Sequence, residues 1–354
     1  PLIGGYLTQE YSWRWIFWIN IPIGIISTAV VILCTPKILR SIHKIPAYID
    51  WIGFILSATA IFCITFALMQ TGQWGWTNKT NLLMFALGAI CIYAFYKFEK
   101  KQKHPLVDFN LFKDPGFLNG SLILLLIQTN FIARIFIIIY FQTVLGYSVL
   151  MAGVLSLPGT VPVLFAAPFG GYLRDKYGPQ LPVVIGSLLI AISSLWISGF
   201  VWLYNFWYLM PGFIAFSIGA PMVVSTARTA AIANIAVQHR GVASGICNTA
   251  RQIGGTIGLA MMSTIVISLD KLHLNKYIET GPEALRHLSA DQLSGLLAGT
   301  TETAAQVAHL NAQQAAELQH AAGHAFTFGL SFGMLIIGII GFSGVWLAMR
   351  LPRH

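Results

Sequence analysis

The sequence predicts an all-α, polytopic membrane protein, and three observations predict it. Only 9% of its 354 residues are charged and 56% are hydrophobic, whereas a water-soluble domain carries about 25% charged residues. The apolar residues gather into stretches near the ~20 residues that a helix needs to cross hydrocarbon. Those stretches also lack the polar–apolar alternation of a membrane strand. In lipid every backbone amide needs an internal partner, so each stretch is expected to be helical.

Nine spans follow in order, at about 14–35, 51–70, 81–98, 117–142, 149–172, 181–201, 206–227, 243–268 and 325–349. The first opens on Trp13, Trp15 and Trp18, and with Trp74, Trp76, Trp202 and Trp207 these form an aromatic belt at one set of span ends. Pro158, Pro162 and Pro168 fall inside the fifth span, and Pro211 and Pro221 inside the seventh. Each proline frees a carbonyl and permits a kink. A long connection, 270–323, precedes the last span and has the composition of a solvated helical excursion.

The loops set the orientation. Alternate connections carry Lys37, Arg40 and Lys44; Lys97, Lys100, Lys101, Lys103 and Lys113; Arg174 and Lys176; Arg228 and Arg240; and Arg350 and Arg353. The other set carries only Arg14, Lys79, Lys271, Lys276 and Arg286. Basic loops stay inside, so the first span is expected to run inward and the C-terminus to be cytoplasmic, in an inner membrane. The net charge of +9 therefore reads as membrane topology, not as a nucleic-acid surface.

No other chemistry is expected. Cys34, Cys63, Cys91 and Cys247 sit in separate apolar runs and suggest neither a disulfide framework nor a zinc site. His320 and His324 stand four apart on a helical pattern without a third ligand, so no metal is expected there. No span carries a Ser/His/Asp set or a phosphate loop, so an enzyme is not expected, nor is a cofactor.

Ionisable groups inside lipid are costly and usually face a cavity or a partner. Arg134 and Arg251 are the two basic residues within spans. Helical spacing aligns Asn130, Arg134 and Phe141 beside Tyr140, and it aligns Asn248, Arg251, Gln252 and Gly255. These make a candidate substrate path of Asn130, Arg134, Tyr140, Phe141, Asn248, Arg251 and Gln252. The alternatives are snorkelling for Arg134 and helix tying for Arg251. Ala250, Gly254 and Gly258 form a small-residue ridge on the opposite side. All acids are expected in loops or at helix ends, Asp270 among them.

Several segments resemble the major facilitator superfamily, in its 14-helix drug:proton antiporter branch of EmrB/QacA type. Pro1, Gly4 and Gly5 resemble the end of that branch's GPxxGG antiporter motif on helix five. Trp13-Arg14-Trp15-Ile16-Phe17 and Asn20-Ile21-Pro22-Ile23-Gly24 are similar to its WRWIFxINxPIG segment. Gly171-Tyr172-Leu173-Arg174-Asp175-Lys176-Tyr177-Gly178 resembles the superfamily's GxLxDRxG loop. Gly245 to Gly255, with Asn248, Arg251 and Gln252, resembles the penultimate helix.

The resemblance implies a helix numbering. Residues 1–35 become the end of an N-terminal bundle, 36–116 two linking helices with cytoplasmic loops, and 117–354 a C-terminal six-helix bundle that includes the outer loop 270–323. On this numbering the chain is expected to be truncated at its N-terminus. The implied activity is proton-coupled export of small amphipathic compounds by alternating access, with protons as the coupling ion. Pro1, Gly4 and Gly5 are expected to seal the outer path. Gly171, Arg174, Asp175, Lys176 and Gly178 are expected to form a latch, with Asp175 capping the following helix. Some EmrB-like proteins engage a periplasmic adaptor and an outer-membrane channel. The alternative is thus a membrane scaffold or docking subunit that uses 270–323 and does not itself transport.

Overall fold

The computed structural model describes residues 2–34, 50–102, 105–280 and 312–352, with backbone alone at 72–73, 274–280 and 312–319. Eight helices are long and apolar enough to cross a membrane, or nine when one bent pair counts as a single span. The chain is thus an all-α polytopic membrane protein, and all nine expected spans coincide with helices.

The elements are α1 (Leu2–Glu10), α2 (Trp15–Trp18), α3 (Asn20–Cys34), α4 (Trp51–Trp74), α5 (Lys79–Glu99), α6 (Pro115–Ala133) and α7 (Ile135–Thr143). There follow α8 (Val149–Leu155), α9 (Val163–Tyr177), α10 (Gln180–Phe200), α11 (Phe206–Ala233), α12 (Arg240–Thr280) and α13 (Ala312–Met349). Local sequence marks many of the starts. Asp50, Asn78, Asp114, Ser148 and Asn205 each accept a hydrogen bond from an amide of the first turn of α4, α5, α6, α8 and α11. Pro115 occupies the first turn of α6, where its missing N–H costs nothing. Gly75 and Gly178 end α4 and α9 with φ of 82° and 81°, a conformation that glycine adopts without strain.

Two expected spans are broken. The 149–172 span bends by 41° at a 3-10 turn, Leu157–Gly159, because Pro158 and Pro162 remove helical donors there. Pro168, Pro211 and Pro221 are absorbed into continuous helix. The 117–142 span is interrupted at Arg134, which caps α6 and leads into α7, yet Pro115–Thr143 continues as one apolar span. Other boundaries move outward. α11 runs to Ala233, α12 to Thr280, and α13 starts at Ala312. Most of the expected excursion, 281–311, lies outside the described residues.

Helices α6 to α13 pack together around two apolar clusters. One, with Phe117, Ile123, Ile190, Val223 and Leu347, lies toward the ends that carry the basic loops, here called the basic side. The other, with Ile137, Tyr140, Phe141, Leu209, Met262 and Leu330, lies toward the opposite side. Glycines set the closest approaches. A Cβ on Gly186 would fall 2.7 Å from the Gly219 carbonyl oxygen, and one on Gly170 2.8 Å from the Met222 Cα. Small residues are what membrane helices use to come this near. The pair α4–α5 packs on itself and leans on α12, where the Thr71 and Thr264 hydroxyls lie 3.5 Å apart. Helix α3 has no buried residue.

Candidate functional site

The polar residues of α6 and α7 turn into the bundle. Asn130 is buried, its Oδ1 accepting from the Ser194 hydroxyl at 3.2 Å. One turn on, the Arg134 Nη2 donates to Ser193 Oγ at 2.7 Å, and Ser193 in turn donates to the Gly212 carbonyl. The guanidinium carbon lies 3.6 Å from the centre of the Phe216 ring and 6.0 Å from that of Phe213. Stacking of this kind contributes about 2 kcal/mol when desolvated. The Arg134 Nε and Nη1 are buried with no acceptor among the described residues. Tyr140 donates to the Val201 carbonyl at 2.8 Å, and Phe141 is fully enclosed. These four residues therefore tie α6 and α7 to α10, α11 and the turn after α10, and Arg134 does not snorkel.

The second polar face is separate. Asn248 and Gln252 on α12 are exposed, and Arg251 is half-buried. The side of α12 turned inward is the small-residue ridge. Gly254 lies against the Leu125 carbonyl so closely that a Cβ has no room, and the Thr129 hydroxyl donates to the Gly254 carbonyl at 2.9 Å. A Gly258 Cβ would sit 2.6 Å from the Thr129 carbonyl oxygen. Gly255 is buried against Gln128 and Ile132 and so leaves the face it shares by spacing with Asn248. The seven candidate residues thus make two groups, one inside the bundle and one on the exposed face of α12, not a single lining.

At the basic side, Arg174 pairs with its neighbour Asp175 at 2.8 Å and reaches Thr229 on α11 at 3.2 Å. Arg228 donates to Ser244 on α12 at 2.9 Å. Lys176 lies near the Tyr172 hydroxyl, 3.4 Å away, and 5.1 Å from the Tyr177 ring centre. Asp175 does not cap α10, whose N-cap position is Pro179 with no side-chain cap, since the Arg174 pair holds its carboxylate elsewhere. Gly171 meets nothing within 4 Å, and the close approach belongs to Gly170 instead. Gly178 serves as the left-handed stop of α9.

At the opposite side, α1 packs against α8. A Gly5 Cβ would lie 3.2 Å from the Leu150 Cα, and the Gln9 Oε1 accepts from the Leu150 amide at 3.1 Å. Gly4 faces open space, and Pro1 lies outside the described residues. His324 rests against Trp202 at 5.3 Å between ring centres.

The serines of α10 were missed by the sequence argument. Ser193 and Ser194 hold the α6–α7 residues, and Ser198 donates to the Ser331 carbonyl at 2.8 Å. Their signal is recurrence at helical spacing within an apolar run. The expected absence of span acids also needs correction at Asp270. Because α12 continues past 268, Asp270 is 5% exposed on the helix, with Oδ1 unpartnered among the described residues.

Comparison with known proteins completes the picture. The chain is 30% identical over 278 residues to the tetracenomycin C resistance and export protein of Streptomyces glaucescens, covering 76% of this chain and 50% of that protein. It is 28% identical to the lincomycin resistance protein LmrB of Listeria monocytogenes, with 80% and 60% covered. It is 25% identical to the multidrug resistance protein Stp of Mycobacterium tuberculosis, with 82% and 54% covered. The chain thus spans about half the length of the curated relatives it matches. In fold it is similar to a bacterial homolog of the human lysosomal transporter Spinster in an inward-facing, unoccupied conformation. That match has a TM-score of 0.53 and 16% identity, with 84% and 65% of the two chains covered. The Major Facilitator Superfamily profile matches residues 1–259. With glycine-seamed helices, a GxLxDRxG-like basic loop and that match, the chain belongs to the Major Facilitator Superfamily of secondary transporters.

Proposed function

We propose that this chain is part of a proton-coupled efflux antiporter of the 14-helix type, residing in an inner membrane with the end after its last span on the cytoplasmic side. Its cargo is small amphipathic compounds, and transport proceeds by two bundles rocking about a central path. The names of the relatives, which include resistance and export proteins, support the cargo class.

The observation that carries the reading is the α1–α8 contact. It joins the end of one predicted bundle to the second span of the other through Gly5, Gln9 and the backbone at Leu150, opposite the basic loops. A seal made by close backbone approach opens by a small rigid-body tilt, as rocking requires. The exposed Asn248–Gln252 face of α12 offers hydrogen-bonding groups to a passing substrate. Asp270 supplies a buried carboxyl suited to carrying a proton.

The test is export of lipophilic compounds from proteoliposomes holding the full-length protein. Export is expected to follow an imposed pH gradient and to stop when the gradient is collapsed. Export indifferent to the gradient removes the proton. Asp270→Asn is expected to slow gradient-driven export at least tenfold while leaving substrate binding in place.

A further inference from the structure

The linking helices contain a second carboxylate environment that the transport mechanism does not use. Asp50 precedes α4 and Glu99 ends α5, both on the basic side, and they are only 6% and 2% exposed. Asp50 Oδ1 accepts from the Gly53 amide at 2.9 Å. Its Oδ2 and both Glu99 oxygens are buried without a partner among the described residues. Asp50 Oδ2 and Glu99 Oε1 each lie 2.6 Å from where a Gly53 Cβ would sit. The glycine therefore leaves one small space into which both carboxyls point. The Leu106 and Val107 amides approach Glu99 without completing a well-formed hydrogen bond.

Among the described residues, nearby charges do not pair with either carboxyl. Lys97 lies over Tyr93 at 5.5 Å and Lys100 over Tyr96 at 4.6 Å. Asp108 Oδ1 accepts from the Asn110 amide, and Asp114 Oδ1 accepts from the Phe117 amide. Neither Lys101 nor Lys113 forms an ion pair with Asp50 or Glu99 among the described residues. Two buried carboxylates in one space do not both stay ionised. A single proton removes one charge and turns one oxygen into a donor to the other.

We propose that Asp50 and Glu99 bind one shared proton, and that losing it draws the Leu106 and Val107 amides, and with them the segment 105–113, more tightly onto Glu99. The connection is physical. Phe109 packs on Phe95 and Tyr96, with ring centres 6.4 and 5.1 Å apart, and leads through Phe112 to Phe117 in the bundle core.

The full-length protein is treated with a hydrophobic carbodiimide, which labels protonated carboxyls, and the Asp50 and Glu99 peptides are followed by mass spectrometry across pH. Labelling of one of the pair is expected, lost with a single midpoint as pH rises. In Asp50→Asn, where asparagine keeps the helix cap, the Glu99 midpoint moves to lower pH. Hydrogen exchange at Leu106 and Val107, corrected for intrinsic rate, is expected to fall several-fold above the wild-type midpoint. Three outcomes overturn the proposal: no labelling at either residue, an unmoved midpoint in Asp50→Asn, or labelling suppressed by sodium or calcium ions, which assigns the space to a metal. Exchange unchanged across the midpoint overturns the link to 105–113.

Discussion

The spans Pro115–Thr143, in the bundle of α6 to α13, and Trp15–Cys34 are about equally apolar, yet they differ in how they are used. In the spans Pro115–Thr143 and Phe206–Ala233 half or more of the most apolar window is buried, whereas in Trp15–Cys34 none is. Hydropathy alone reports compatibility with lipid. What separates the regions is which helices have neighbours to pack on among the described residues. In the bundle, Gly186, Gly219, Gly254, Gly258 and Gly329 meet a neighbouring backbone. In α3, Gly24 meets nothing within 4 Å. Partners, more than apolarity, make a membrane fold.

Substitutions sharpen this contrast. Gly254→Leu drives a side chain into the Leu125 carbonyl. It is expected to cost about 3 kcal/mol or more and to abolish recovery of monodisperse protein in size-exclusion chromatography. If Gly254→Leu behaves like wild type, the ridge is not a contact. Arg134→Ala removes the Ser193 bond and the Phe216 stack, worth about 2 kcal/mol, and is expected to lower Tm in detergent by about 4–8 °C. Arg251→Ala, with no side-chain bond to lose among the described residues, is expected to leave Tm in place and reduce export. A reversed pattern exchanges the roles of the two arginines. Gly5→Leu is expected to raise passive proton leak through reconstituted full-length protein with little change in Tm, because it spreads a contact without emptying a core. Gly4→Ala, one residue away and facing open space, is expected to shift stability by less than about 0.5 kcal/mol and leave leak unchanged.

The number and order of spans were legible because about twenty apolar residues in a row have few alternatives in water or lipid. The ridge at Gly254 and Gly258 was legible from its spacing of four. Depth and direction were not. Asn130 and Arg134 share a helical face with Phe141, but spacing does not say whether that face meets a crevice or another helix. In the structure Ser193 and Ser194 meet that face, and serine in a span is too common to stand out. The break at Leu157–Gly159 was signalled by two prolines, but three other span prolines bend nothing comparable. Asp270 was misplaced because hydropathy fades before the helix does.

That last point has a mechanical corollary. Helix α12 has 41 residues, a rise of about 60 Å, roughly twice the thickness of hydrocarbon it has to cross. One end of it therefore stands in water as a mast rooted in the bundle through Gly254 and Gly258. A tilt of a few degrees at the root moves the tip by about 2–3 Å, so a distance probe on the mast would register subtle rearrangements below it at enlarged scale.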